Sequence, residues 1–282
     1  MSLPLAGKLA VVTGASRGIG KAIATKLGSY GANLSLAYTS PSSKTLAENL
    51  AQELQSKHNI KAFTFAADLG TPEGGRQLIE ATKEHFSKDG GNFQIDILVN
   101  NAGVAQNNPL PKITTAEFDS SYKVNVLGPL LVTQAAEPYL PHDRSGRIVN
   151  LSSVSSSAGF VEQSVYGGTK AALEAMTRTW SRELSERATV NAINPGPVLG
   201  EMYAKNSDDF KREIKGWFEH SPLMKVRKGI DSDELVEDAK LSGGRPAYVD
   251  EIAGIVAMLC GKDSAWCTGQ VVCANGGMIM LH

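Results

Sequence analysis

Short apolar runs alternate with helical stretches along almost the whole chain, and that alternation leaves few folds open. The runs lie at residues 8–13, 33–38, 60–66, 95–100, 147–152, 189–194 and 270–274. Helical spacing of apolar residues fills the gaps at 21–31, 42–57, 72–87, 114–137, 164–184 and 248–261. A strand that is apolar on both sides is covered on both sides. Parallel neighbours need a crossover between them, and a helix supplies it. The pattern therefore predicts an α/β fold, a doubly wound parallel sheet of about seven strands with helices on both faces. The chain has 282 residues, enough to bury one large core, and no repeat, linker or low-complexity tract divides it. We expect one domain over 1–282.

Composition narrows the function classes. The net charge of −1 offers nothing to nucleic acid or to an anionic membrane. The start lacks a basic segment followed by a long apolar run, and no stretch of about 18 apolar residues could cross a bilayer. A cytoplasmic protein is the expectation. Cys260, Cys267 and Cys273 match no zinc spacing, and with no export signal they read as mostly buried thiols in a reducing compartment. The five histidines are scattered, so no metal site is expected.

The first apolar run ends in Gly14-Ala-Ser-Arg-Gly18-Ile-Gly20, and a helical stretch follows. Glycines let the backbone turn sharply and approach a pyrophosphate, while the free N–H groups of the helix face the anion. The spacing differs from the general dinucleotide fingerprint, but the strand–turn–helix context is the same, a Rossmann arrangement. An NAD-binding protein commonly places Asp or Glu at the end of the second strand, on the ribose hydroxyls. Here Tyr38, Thr39 and Ser40 stand there, followed by Ser42, Ser43 and Lys44, with Arg17 in the first turn. Hydroxyls and cations suit a 2′-phosphate, so NADP(H) is the expected cofactor.

The stretch from Ser152 to Lys170 carries the candidate chemistry. Tyr166 and Lys170 are i and i+4 on one helix, hence side by side. A phenol is a weak acid at neutral pH, and a nearby ammonium favours its ionised form. Such a pair can exchange a proton with a carbonyl or carbinol oxygen. The strand before it ends in hydroxyls, from Ser152 and Ser153 to Ser157, that could hold the same oxygen. Taken alone, Tyr-x-x-x-Lys also fits an ordinary amphipathic helix. Asn125 lies on an apolar helical face beside Gly128 and Pro129, where a kink is expected. It either closes a structural hydrogen bond at the kink or turns a backbone carbonyl toward a water in the site. The segment at about 200–246 is charge-dense but holds Met202, Tyr203, Phe210, Trp217, Phe218, Leu223 and Met224. One or two short helices forming a lid over the substrate are expected there.

Together these motifs resemble the short-chain dehydrogenase/reductase family in its single-domain form. The resemblance runs from Thr13–Gly20 through Asp68-Leu69, Asn100–Gly103, Asn125, Ser153, Tyr166-x3-Lys170 and Asn194–Val198 to Asn275–Gly277. It implies that Tyr166 is the general acid in reduction and the base in oxidation. Lys170 lowers its pKa and holds the nicotinamide ribose, Ser153 orients the carbonyl, and Asn125 supports a water relay. It further implies that Gly14, Ser16, Arg17, Gly18, Ile19 and Gly20 hold the pyrophosphate and adenosine end. Asp68 and Leu69 would flank the adenine. Asn101, Ala102 and Gly103 would line the cofactor, and Pro195, Gly196 and Val198 the nicotinamide. Val154, Phe160, Met202, Tyr203 and Trp217 are the expected substrate contacts.

Two departures stand out. Where the family often has Thr, contacting the carboxamide, Gly200 stands here. Gly167 and Gly168 replace better helix formers, each costing roughly 1 kcal/mol relative to Ala, which points to close backbone approach, for example by a neighbouring subunit. The resemblance implies a homotetramer or homodimer. The chain is also similar to fungal polyketide ketoreductases such as the hydroxynaphthalene reductases. An NADPH-dependent carbonyl reductase acting on a small ketone, reversible as an alcohol dehydrogenase, is the functional expectation. The alternatives are a non-catalytic NADP(H) sensor or scaffold, and a 3-oxoacyl or steroid reductase.

Overall fold

The computed structural model describes residues 3–87 and 93–280, the side chain of Met202 excepted. The turn expected at Asp89–Gly91 falls outside them. Among the described residues seven parallel strands form one sheet in the order β3-β2-β1-β4-β5-β6-β7. They are β1 (Leu9–Val12), β2 (Asn33–Tyr38), β3 (Ala62–Ala66), β4 (Ile97–Asn100), β5 (Gly146–Leu151), β6 (Ala188–Ile193) and β7 (Val271–Val272). The last strand is shorter than the expected 270–274.

Both faces are covered, which explains the unbroken apolar runs. Successive side chains of a strand point to opposite faces. In β1, Ala10 and Val12 join the core shared with α1 (Gly18–Ser29), α2 (Pro41–His58) and α11 (Val249–Cys260). Val11 joins the opposite core with α3 (Gly74–Phe86), α5 (Gly128–Ala136) and α6 (Ser164–Glu183). Ile23, Leu27, Leu54 and Val256 are fully buried on one side, Leu78, Leu98 and Val132 on the other. Each such side chain contributes about 1.5–3 kcal/mol by leaving water. Leu27→Ala would cost about 2–5 kcal/mol through its cavity.

Strand order reverses between β1 and β4. At such a switch point the crossovers diverge and leave a crevice beyond the carboxyl ends of the strands. The candidate residues at the ends of β1, β2, β4, β5 and β6 all open onto it.

The 114–137 stretch is not one kinked helix. α4 (Thr115–Tyr122) runs into a π-helical turn, Lys123–Leu127, and then into α5. The wider turn holds Asn125, which is fully buried. The 200–246 segment folds as four short helices rather than one or two: α7 (Glu201–Ala204), α8 (Asp208–Glu213), α9 (Lys215–His220) and α10 (Asp233–Ser242). Serines restart two of them, since Ser207 and Ser232 accept the amides of Phe210 and Leu235 as N-caps. Beneath them a third, small core forms from Val154, Tyr203, Ile214, Phe218, Met224 and Met278. Asp238 fastens the helices, accepting from Tyr203 Oη at 2.8 Å and from Lys211 Nζ at 2.6 Å. The two ends of the excursion meet, where Leu199 N donates to Ala247 O and Ala247 N to Pro197 O.

Of the three cysteines only Cys260 is buried, and Cys273 is exposed, so the expectation of mostly buried thiols holds for one of them. Among the described residues no helix is long and apolar enough to cross a membrane, and no group of acidic, His or Cys residues could hold a metal.

Candidate active site

The crevice opens into a cleft of about 920 Å³. Its floor begins with the turn after β1. Gly14 and Gly18 adopt the left-handed backbone that favours glycine, at φ 63° and 54°. At Gly20 a Cβ would lie 2.2 Å from Gly14 O, so no larger residue fits there. Asn101 locks this turn to the end of β4. Its Nδ2 donates to Thr13 O at 2.9 Å and to Gly14 O at 3.1 Å. Thr13 Oγ1 in turn accepts the amides of Asn101 and Ala102, both at 3.0 Å. The result is an open cradle whose backbone is fixed before anything enters it.

At the end of β2, Tyr38, Thr39 and Ser40 line the cleft together with Ser43. Ser40 Oγ lies 2.9 Å from both Ser42 Oγ and Ser43 Oγ. Arg17 reaches Ser43 Oγ at 3.4 Å and pairs with Glu201 of α7 at 3.1 Å. Lys44 turns away to Glu48. Asp68, Leu69, Ser16, Ile19, Ala102 and Gly103 also line the cleft. Glu201 was not anticipated, because 184 residues separate it from Arg17.

At the other end Ser153, Tyr166 and Lys170 line the same cleft. β5 delivers Ser153 directly. The chain leaves Leu151 and tightens into a 3-10 turn, Val154–Ser156, with Ser153 as its N-cap accepting Ser155 N. Lys170 Nζ lies 5.6 Å from the centre of the Tyr166 ring and donates to Leu151 O at 2.7 Å. Burial pulls the Lys170 ammonium down to about 8. Burial also pushes the Tyr166 phenol up, against a smaller downward pull from the Ser153 hydroxyl. Desolvation of the buried site is thus the largest influence on the phenol, and its net direction is upward. The phenol is therefore held in its protonated form at neutral pH.

Asn125 does not reach the cleft. Its Nδ2 donates to Val104 O at 2.8 Å and to Thr169 Oγ1 at 3.1 Å, while its Oδ1 accepts Val104 N at 2.8 Å. Its side chain ties the loop after β4 to the helix of Tyr166, as the structural reading of the kink expects. A Cβ at Gly103 would sit 3.2 Å from Asn125 Oδ1 and 3.4 Å from Lys170 Nζ.

Pro195, Gly196 and Val198 border the cleft. Beside Gly200 there is open space, where a Cβ would meet nothing within 4 Å. Gly167 is explained within the chain, since its Cβ would stand 2.5 Å from Ser155 O. The close approach at Gly167 is therefore made within the chain. Gly168 faces the Tyr122 hydroxyl.

Of the expected substrate contacts, Val154, Phe160 and Tyr203 line the cleft. The Met202 side chain lies outside the described residues. Trp217 is not on the cleft wall; it packs edge-on against Phe160, 5.8 Å between ring centres, and is 41% exposed. Phe210 and Ile214 take the place expected of it, with Asn107, Gln163 and Asn206 as polar neighbours. Phe210 lies on α8 and Ile214 caps its C-terminal end; Phe210 was among the apolar residues of the expected lid, whereas Ile214 was not anticipated.

Known proteins resemble this chain over nearly its whole length. The family model described as short chain dehydrogenase matches residues 8–211. The chain is 50% identical to an L-xylulose reductase of Aspergillus niger, across 99% of each protein. It is 49% identical to an L-xylo-3-hexulose reductase of Hypocrea jecorina, again across 99% of each. Among solved structures, the angucycline C-6 ketoreductase LanV with bound NADP superposes with a TM-score of 0.82 at 32% identity, covering 99% of this chain and 98% of that one.

Proposed function

The chain belongs to the short chain dehydrogenase family and is an oxidoreductase, and from that premise we propose that it reduces the ketone of a small polyhydroxylated sugar with NADPH, reversibly. One observation carries the reading: a single cleft joins a phosphate-sized glycine cradle, a serine cluster beside Arg17, and the Ser153–Tyr166–Lys170 group. The substrate class follows the ketose reductases at about half identity, which lie nearer in sequence than the angucycline C-6 ketoreductase at 32%. The substrate end suits it, with Asn107, Gln163 and Asn206 to meet hydroxyls and Phe160 and Phe210 to cover carbon.

The cradle fits NADP(H). Gly14–Gly20 would hold the pyrophosphate, and Arg17 with Ser40 and Ser43 the 2′-phosphate. Asp68 and Leu69 would flank the adenine, Lys170 the nicotinamide ribose, and Pro195–Val198 the nicotinamide. When bound, the dihydronicotinamide supplies the hydride. Tyr166 donates its phenolic proton to the ketone oxygen, and Ser153 donates a hydrogen bond to the same oxygen. Lys170, with its pKa drawn down to about 8, can return a proton toward the phenolate. Asn125 keeps the floor of the site in register through Val104 and Thr169. The segment at 200–246 covers the substrate end. Exposed Phe118 and Leu130 on α4 and α5 support assembly into a dimer or tetramer, which light scattering would read.

The test is NADPH consumption with purified protein and a panel of L-xylulose, other ketoses, quinones and aromatic ketones. Turnover highest on ketoses is expected. Preference for aromatic ketones would overturn the substrate class. Tight NADPH binding with no turnover on any ketone would favour a sensor.

A further inference from the structure

Tyr166, Lys170 and Glu174 follow one another at intervals of four on α6. The first two face the cleft. Glu174 lies a turn further on and is only 8% exposed. Carboxylates are almost never so buried unless something holds them. Here Glu174 Oε1 takes two hydroxyls, Ser152 Oγ at 2.6 Å and Ser156 Oγ at 2.7 Å. Distances of that length mark hydrogen bonds to a charged acceptor.

The two serines are not arbitrary. Ser152 immediately precedes Ser153, and Ser156 follows it by three. Ser152 Oγ also leans on Lys170 O at 3.4 Å, so its tie is to α6 throughout. Between the two ties, the backbone of Ser155 lies against the bare Cα of Gly167. Ser153 Oγ donates to Ser155 Oγ at 3.0 Å and accepts Ser155 N at 3.2 Å. The short segment bearing Ser153 is thus fastened at both ends to the helix that bears Tyr166.

We propose that Glu174 is a positioning residue for Ser153, clamping Ser152 and Ser156 so that the Ser153 hydroxyl stays on the oxygen that Tyr166 protonates. It rests on the reading of Ser153 given above. Glu174 is not among the residues lining the cleft, so it acts only through the serine. The carboxylate is suited to the task because one oxygen accepts both hydroxyls, which a single neutral hydroxyl in its place could not do as strongly.

The experiment is a double-mutant cycle on the full chain, Glu174→Ala against Ser153→Ala, reading kcat, ketose KM, NADPH affinity and Tm. With Ser153 present, Glu174→Ala should lower kcat by roughly ten- to a hundredfold, as misplacement of a reacting group does. NADPH affinity should stay unchanged. With Ser153 already replaced, Glu174→Ala should have no further effect on kcat. Glu174→Gln, whose amide oxygen still accepts, should recover most of the rate. Equal losses in both backgrounds, tracking a fall in Tm, would reduce Glu174 to a structural part and overturn the proposal. So would an unchanged kcat in the first background. If Glu174→Ala does not fold, Ser152→Ala with Ser156→Ala removes the same clamp from its other side and enters the same cycle. A Ser153→Ala protein as active as wild type would sink the reading of the serine and the clamp with it, whereas additive losses sink the clamp alone.

Discussion

The floor of the cleft and its cover are built by different means. The floor is backbone: strand ends from a sheet buried on both faces, a turn that Gly20 brings to within contact of Gly14, and amides tied to Thr13. The cover at 200–246 is side chain: short helices over a small apolar core, fastened by Asp238 to Tyr203 and Lys211. A backbone scaffold tolerates little change and suits a constant ligand. A cover held by a few polar contacts can vary with the substrate while the floor stays the same. This division predicts that damage to the floor and to the cover will have separable kinetic signatures.

The sharpest break is Tyr166→Phe. It should lower kcat by roughly 10²–10⁴-fold, the worth of a positioned proton donor, while NADPH fluorescence titration stays within about twofold of wild type. Weakened NADPH binding would show that the floor and the chemistry are not separable.

The pH profile comes next. Reduction needs the phenol protonated, and burial keeps it so at neutral pH. Lys170 loses its proton as pH rises through about 8. Ketone reduction should therefore be flat below that value and fall above it, by up to about tenfold per pH unit. Alcohol oxidation should rise over the same range. Initial rates in both directions check the sign.

Asp238→Ala tests the cover. Freed from their common acceptor, Tyr203 and Lys211 would leave α7 and α8 loose over the substrate. The ketose KM should rise about tenfold, equivalent to ~1.4 kcal/mol, with NADPH affinity intact. A change in NADPH affinity instead would tie the cover to the floor.

The smallest effect tests a salt bridge that crosses between them. Arg17 and Glu201 are both largely exposed, so their pairing is weak and easily exchanged. Glu201→Gln should free Arg17 for the 2′-phosphate and tighten NADPH by about two- to fivefold at low salt, leaving NADH unchanged and fading at high ionic strength. Isothermal titration at two salt concentrations would read it.

The same division decides what the sequence made legible. Strands buried on both faces and a glycine turn leave local patterns, so the sheet and the strand–turn–helix at Gly14–Gly20 could be read from short stretches of sequence. So could the Tyr166–Lys170 pair, fixed by helical period. What escaped depends on distant partners. Lys123–Leu127 widens into a π turn around Asn125, which binds Val104 and Thr169 from two other parts of the chain. Trp217 looked like a cleft residue from composition, but the orientation of α9 sets it outside, against Phe160. Glu174 drew no reading from the sequence, because its partners Ser152 and Ser156 lie 22 and 18 residues away. Its position four residues after Lys170 was the available signal.

The meeting of Pro197, Leu199 and Ala247 at the root of the excursion has a practical consequence. Everything between enters and leaves through one hydrogen-bonded neck, so exchanging it for a relative's segment would not ask the host to bring distant ends together. Loop length adds only slowly to the entropy of closure. The neck makes the segment a cassette, and grafting it between relatives a direct way to ask how far it sets substrate preference.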